Sequence, residues 1–174
     1  MNKKVIGVFT NEDAAQKVIN QLEDSGFDSK EISVVMKDKN AGKKVEESTG
    51  TKVVGGAVSG ATTGAVLGGL AGLLASIVLP GIGAFFIGGP IAAALGLTGA
   101  AASVASGATT GAVAGGLLGA LTGLGLSEDE ARIYEDRITR GDILVAVPLR
   151  DEDQLDVEEI FRANGAEEIR TTTK

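Results

Sequence analysis

Between Lys52 and Glu128 the chain carries no Asp, Glu, Lys or Arg, and 20 of its 26 glycines lie in that interval. No other feature limits the fold as strongly. An uncharged, apolar stretch of this length must be covered, by other elements, by other copies or by lipid. Its glycines are also ordered. They fall at Gly56, Gly60, Gly64, Gly68 and Gly72, and again at Gly99, Gly107, Gly111, Gly115, Gly119 and Gly123, with Ser103 in the gap. A period of four puts them on nearly one face of a helix. Five glycines in one helix cost roughly 5 kcal/mol relative to alanine. Close backbone approach to a second small-residue ridge offsets such a loss.

The octapeptide SGATTGAV occurs at 59–66 and, letter for letter, at 106–113. The centres of the two copies are equidistant from Phe86, within PGIGAFFIGGP (80–90). The prolines and glycines of that segment predict a turn. Folding back there sets the copies antiparallel at one level, with their glycine ridges able to meet. Residues 51–126 are thus expected to form an antiparallel helical hairpin closed by a glycine zipper. The eleven glycines and Ser103 named above are its helix-packing and oligomerisation positions. A flexible linker is disfavoured, because linkers are polar and Ser/Gly-rich, whereas this stretch carries Leu, Ile, Val and Phe throughout.

The flanks are of a different composition. Residues 1–52 hold nine basic and nine acidic residues; residues 128–174 hold seven basic and fourteen acidic. In the first flank VIGVF (5–9) reads as a buried strand. Thr10 is placed to N-cap the helix that follows, with Asp13 in a capping-box position. Ala14, Ala15, Val18, Ile19 and Leu22 share a helical stripe, Gly26 stops it, and EISVVMK (31–37) is a second strand. Residues 38–50 read as a polar linker.

In the second flank Ser127 and Glu130 form a capping box opening a helix with Ala131, Tyr134 and Ile138 on one face, closed by Gly141. DILVAVPL (142–149) is a strand with Pro148 near its end, Asp151–Asn164 a helix with Val157, Ile160 and Phe161 inward, and EEIRT (167–171) a last strand. Each flank is a βαβ unit too small to cover its own sheet. Joined, they predict an α+β head of split ferredoxin-like βαβ topology, built from residues 1–50 and 127–174, with the hairpin inserted between them.

The chemistry available is narrow. No Cys and no His are present, which removes thiolate sites, the usual general base and the commonest metal ligand. The net charge of −7 and 3% aromatic content argue against a nucleic-acid partner. The carboxylate pairs, such as Glu23-Asp24 and Glu158-Glu159, lack EF-hand spacing and suit helix N-termini or solvated faces. Gly81-Ile82-Gly83 lacks the strand, helix and acidic residue of a dinucleotide site. The expectation is therefore no catalytic residue, no cofactor and no metal.

The runs VIGVFTNEDAAQKVINQLEDSGFDSKEISVVMKD and LSEDEARIYEDRITRGDILVAVPL resemble the bacterial heat-induced general stress proteins (YflT-like) in a longer form with a glycine-rich insert. The residues carrying the likeness are Gly7, Phe9, Gly26, Ile32, Val34, Tyr134, Gly141 and Val145. The resemblance implies stress induction and a cytoplasmic or membrane-associated protein, and brings no catalytic residues.

The sequence thus predicts a non-enzymatic stress protein that self-associates through its hairpin. The arm 53–79 is long enough to enter a bilayer, and Lys43, Lys44 and Lys52 beside it suit a cytoplasmic side. The expected partners are further copies of the chain and membrane lipid, with the head in the cytoplasm. Two alternatives stand: a soluble cytoplasmic homo-oligomer with hairpins buried between subunits, and a small-molecule-sensing regulatory domain.

Overall fold

The computed structural model describes residues 3–37, 74–79, 83–94, 116–149 and 154–173. The elements are β1 (Lys3–Phe9), α1 (Glu12–Asp24), β2 (Ser33–Lys37), β3 (Leu74–Leu79), β4 (Gly83–Gly88), α2 (Pro90–Ala94), α3 (Gly116–Gly123), α4 (Glu128–Arg140), β5 (Ile143–Pro148), α5 (Gln154–Ala163) and β6 (Glu167–Thr173). The class is α+β. All six strands join one sheet in the order β3-β4-β2-β5-β1-β6, and every pairing is antiparallel.

The sheet is covered on both faces because its central strands are apolar at consecutive positions. Val5, Phe9, Val34, Met36, Val145 and Val147 face α1 and α5 and pack with Val18, Leu22, Val157 and Phe161. The intervening Ile6, Val8, Val35, Leu144 and Ala146 face the other way, into a cluster with Leu117, Leu121, Ala131, Tyr134 and Ile138 of α3 and α4. Period-two alternation thus feeds two cores from one sheet. Each fully buried Val, Leu, Ile or Phe contributes roughly 1.5–3 kcal/mol of transfer free energy. The helix expected at Ser127 is the layer that closes the second core.

Local signals set the helix ends. The N-cap of α1 is Asn11, one residue beyond the expected Thr10; its side chain accepts from the Ala14 N–H at 2.8 Å. Asn is the better cap, and its Oδ1 reaches the N3 amide. The Ser127–Glu130 capping box is formed, with the Ser127 N–H donating to Glu130 Oε2 at 3.0 Å and the Glu130 N–H to Ser127 Oγ at 3.3 Å.

Three helices end alike. Phe27, Asp142 and Ala166 donate backward to the carbonyls of Leu22, Arg137 and Phe161, closing Schellman turns. The residue before each is Gly26, Gly141 or Gly165, at φ of +91°, +111° and +77°, where only glycine sits without strain.

The middle departs from expectation. Residues 74–79, placed in the first helical arm, are strand β3, and residues 83–88, placed in the turn, are strand β4. Phe86, the expected pivot of the fold-back, pairs with Ser76 and with Met36. The reason is visible in Phe85 and Ile87, two positions apart and both fully buried, with Phe86 between them against the opposite core. Gly89-Pro90 marks the end of that strand. At φ +71°, Gly89 passes so close to β2 that a Cβ there would overlap the Ile32 carbonyl. The two SGATTGAV copies and residues 38–50 lie outside the described residues.

Candidate functional site

Of the twelve positions expected to pack the zipper, Gly119 and Gly123 fall within the described residues, both on α3. Gly56, Gly60, Gly64, Gly68, Gly72, Gly99, Ser103, Gly107, Gly111 and Gly115 lie outside them. α3 is a two-faced helix. Leu117, Ala120 and Leu121 are buried, as are Leu124 and Leu126 just beyond it, all in the core under the sheet. The buried Thr172 hydroxyl of β6 donates to the Leu124 carbonyl at 3.1 Å and ties this segment down. Gly119 and Gly123, one turn apart, lie off the leucine face. A Cβ at either would meet nothing within 4 Å. Their lack of side chains is therefore not explained by crowding among the described residues. At Gly119 no described residue covers the helix backbone on that side.

A second feature is a cleft of about 420 Å³ between α1 and α5, lined by Gln21, Asp24 and Ser25 on one side and Asp156, Glu159 and Ile160 on the other. Asn164, just past α5, links it to α1 by donating to Gln21 Oε1 at 2.7 Å. The Ser25 hydroxyl, the nearest thing to a nucleophile, donates to the Gln21 carbonyl and serves as a helix cap. Among the described residues no group of three or more metal-ligating side chains converges. The cleft has acid on its walls and, among the described residues, no basic side chain lining it.

The third is the polar belt where α4 meets β6. Arg137 Nε donates to Asp142 at 2.5 Å and Arg137 Nη2 to Glu167 at 2.6 Å. Glu167 and Asp142 raise the guanidinium further above its already high range. The backbone and hydroxyl of Ser127 hold the Glu130 carboxyl below its ordinary value, with Arg170 adding to them. Tyr134, 2% exposed, donates its hydroxyl to the Glu168 carbonyl, and burial pushes its phenol well up. A neutral, committed phenol beside a doubly paired arginine is a structural lock. Tyr134 is core, as its place on the α4 stripe predicts.

The residues that carried the family likeness are all accounted for by packing. Gly7 lies under the Phe161 ring. Phe9, Ile32, Val34 and Val145 are buried, Gly26 and Gly141 end helices, and Tyr134 anchors β6. Sequence reasoning missed Arg137 and the bulge that aims the Glu168 carbonyl at Tyr134. The first had a signal, an arginine in the last turn five residues before Asp142; the second had none.

Among the described residues no helix is long and apolar enough to cross a membrane. Residues 4–81 match the family model of the heat-induced stress protein YflT domain, a little under half of the chain, which indicates a general stress protein. No curated protein matches the chain. No solved structure matches it either.

Proposed function

We propose that this general stress protein works by self-association rather than by catalysis, with the glycine-lined face of its uncharged middle as the contact between copies. The observation that carries the reading is α3, whose leucines are spent on the protein's own core while Gly119 lies off that face with nothing among the described residues within 4 Å of where its side chain would begin. A helix with glycines at that spacing lets another backbone approach closely. The acidic α+β body is then the part displayed by the assembly. The order β6-β1-β5-β2, with α1 and α5 on one face, supports reading that body as a split ferredoxin-like unit.

Membrane association at the cytoplasmic face remains part of the proposal, resting on the apolar stretch before residue 74 and the lysines beside it. A soluble assembly is the second reading. It is favoured by β3, because residues 74–79 belong to the sheet and leave a shorter apolar arm than the sequence suggested.

Gly119→Leu tests the first claim at a position where an added Cβ meets nothing among the described residues, with Gly111→Leu as its companion. The variants are expected to keep the far-UV CD spectrum and to sediment as smaller species than the parent. Unchanged sedimentation in both would end the glycine-face reading. Density-gradient flotation of detergent-free lysate separates the two locations: protein that floats with lipid and resists alkaline extraction is membrane-held, and a discrete lipid-free particle is the soluble assembly.

A further inference from the structure

The sheet ends in two strands of opposite chemistry. β6 carries Glu167, Glu168 and Arg170 and breaks register against β1 between Ile6 and Val8. Charges and a bulge are how proteins block an edge against further pairing. β3 has neither. Its sequence LASIVL holds no charge and no proline, and its pairing with β4 runs unbroken from Leu74↔Gly88 to Leu79↔Gly83. Among the described residues nothing pairs with its other side. A regular, uncharged edge strand is a template for one more strand.

We propose that the outer edge of β3 is a seam for a second copy of this chain, pairing antiparallel across a twofold axis normal to the sheet. Two observations fit this edge to a second copy. First, every pairing in this sheet is antiparallel. A twofold normal to the sheet presents β3 to itself in that sense, so the N–H and C=O pattern of the edge complements its own copy. Second, the chain carries a net charge of −7, so copies repel wherever their acids approach. β3 lies five strand spacings, about 24 Å, from β6, against a screening length of about 8 Å in physiological salt. Pairing at β3 holds the Glu167 and Glu168 pairs of the two copies far beyond that length, whereas pairing at β6 sets like charges opposite one another. The two sheets then run on as one of twelve strands.

This seam needs self-association but not the glycine face, and one experiment separates them. The chain has no cysteine, so a single introduced thiol reports only contact between copies. Ala75→Cys, Ser76→Cys and Ile77→Cys are compared under mild oxidation with Thr173→Cys on β6, each with and without Gly119→Leu. At least one β3 variant is expected to form disulfide-linked dimers about tenfold or more faster than Thr173→Cys, as held proximity requires, and to do so in both backgrounds. If the β3 thiols cross-link no faster than the β6 thiol, the seam is wrong. Sedimentation of the same samples then tells the two failures apart: an oligomer leaves the glycine face standing, and a monomer removes both. Cross-linking to an unrelated protein, without homodimer, also overturns the proposal in favour of another partner.

Discussion

Gly7→Ala tests how tightly α5 is seated on the sheet. Gly7 lies on the α1/α5 face of β1, between Val5 and Phe9. A Cβ built there falls 2.6 Å from Phe161 Cδ1, 3.0 Å from Phe161 Cε1 and 3.4 Å from Ala166 Cβ. Carbon contacts prefer about 3.5–4.0 Å, so the ring must move. It has little room, being fully buried and tilted against Phe9 with centroids 5.6 Å apart. Overpacking of this kind costs about 1–3 kcal/mol. Gly7 is not among the glycines at positive φ, so alanine meets no backbone obstacle and recovers about 0.5–1 kcal/mol of strand stability.

The net expectation for Gly7→Ala is a loss of about 1–2 kcal/mol, obtained as the difference of those two effects. Urea unfolding followed by far-UV CD, at one fixed protein concentration because binding between copies would add its own stabilisation, measures it. In a Phe161→Leu background the blocking ring is gone, and Gly7→Ala should then be neutral or stabilising. The coupling between the two sites is therefore the overpacking itself, about 1–3 kcal/mol, within the range for residues in contact. An equal cost in both backgrounds, or no cost in the parent, would refute the account of Gly7 as a close-approach glycine.

Three further expectations follow from the β6 lock. The single tyrosine, Tyr134, has a folded pKa raised by burial, so its contribution to stability is complete below the unfolded value of about 10 and is lost as pH climbs above it toward the folded value. Near pH 11 the native protein should show no tyrosinate absorbance and gain it on adding urea; Tyr134→Phe should cost about 1–2 kcal/mol by leaving the Glu168 carbonyl without its donor. Glu168 sits at φ +50°, so Glu168→Gly should raise stability by about 0.5–1 kcal/mol after allowing for glycine's greater freedom in the unfolded chain. A loss on unfolding in urea would mean that the Glu168 side chain itself matters.

The flanks were legible because their signals are local. A stripe at 3.6, a serine three residues before a glutamate, and a glycine after a lysine-poor or arginine-rich last turn each name one element without knowing its neighbours. Asn11 shows the usual one-residue slip, where two adjacent cap-formers compete and geometry decides. β3 and β4 were hidden for the opposite reason. LASIVL alone fits a helix as well as a strand, and the glycines and prolines around Phe85 and Ile87 read as one long turn. What makes these segments strands is the edge offered by β2, which is far away in sequence. The candidate site was legible only in part, since period-four spacing identifies a glycine face but not what the opposite face does. On α3 that other face belongs to the core, which leaves the glycines outward.

The two proposed contacts differ in how far they can extend, and that difference is itself diagnostic. Pairing at β3 is isologous: each copy uses the same edge, so the contact closes at two and goes no further. A glycine face engaging a different surface of the next copy is heterologous and can propagate. Together they permit large assemblies made of paired units; separately they do not. Gly119→Leu should then leave dimers as the end state, while a blocked β3 edge should leave whatever the glycine face builds from single chains. The uncharged stretch thus has a physical reason to hold both: a chain of net charge −7 can bring copies together only where its carboxylates are out of reach.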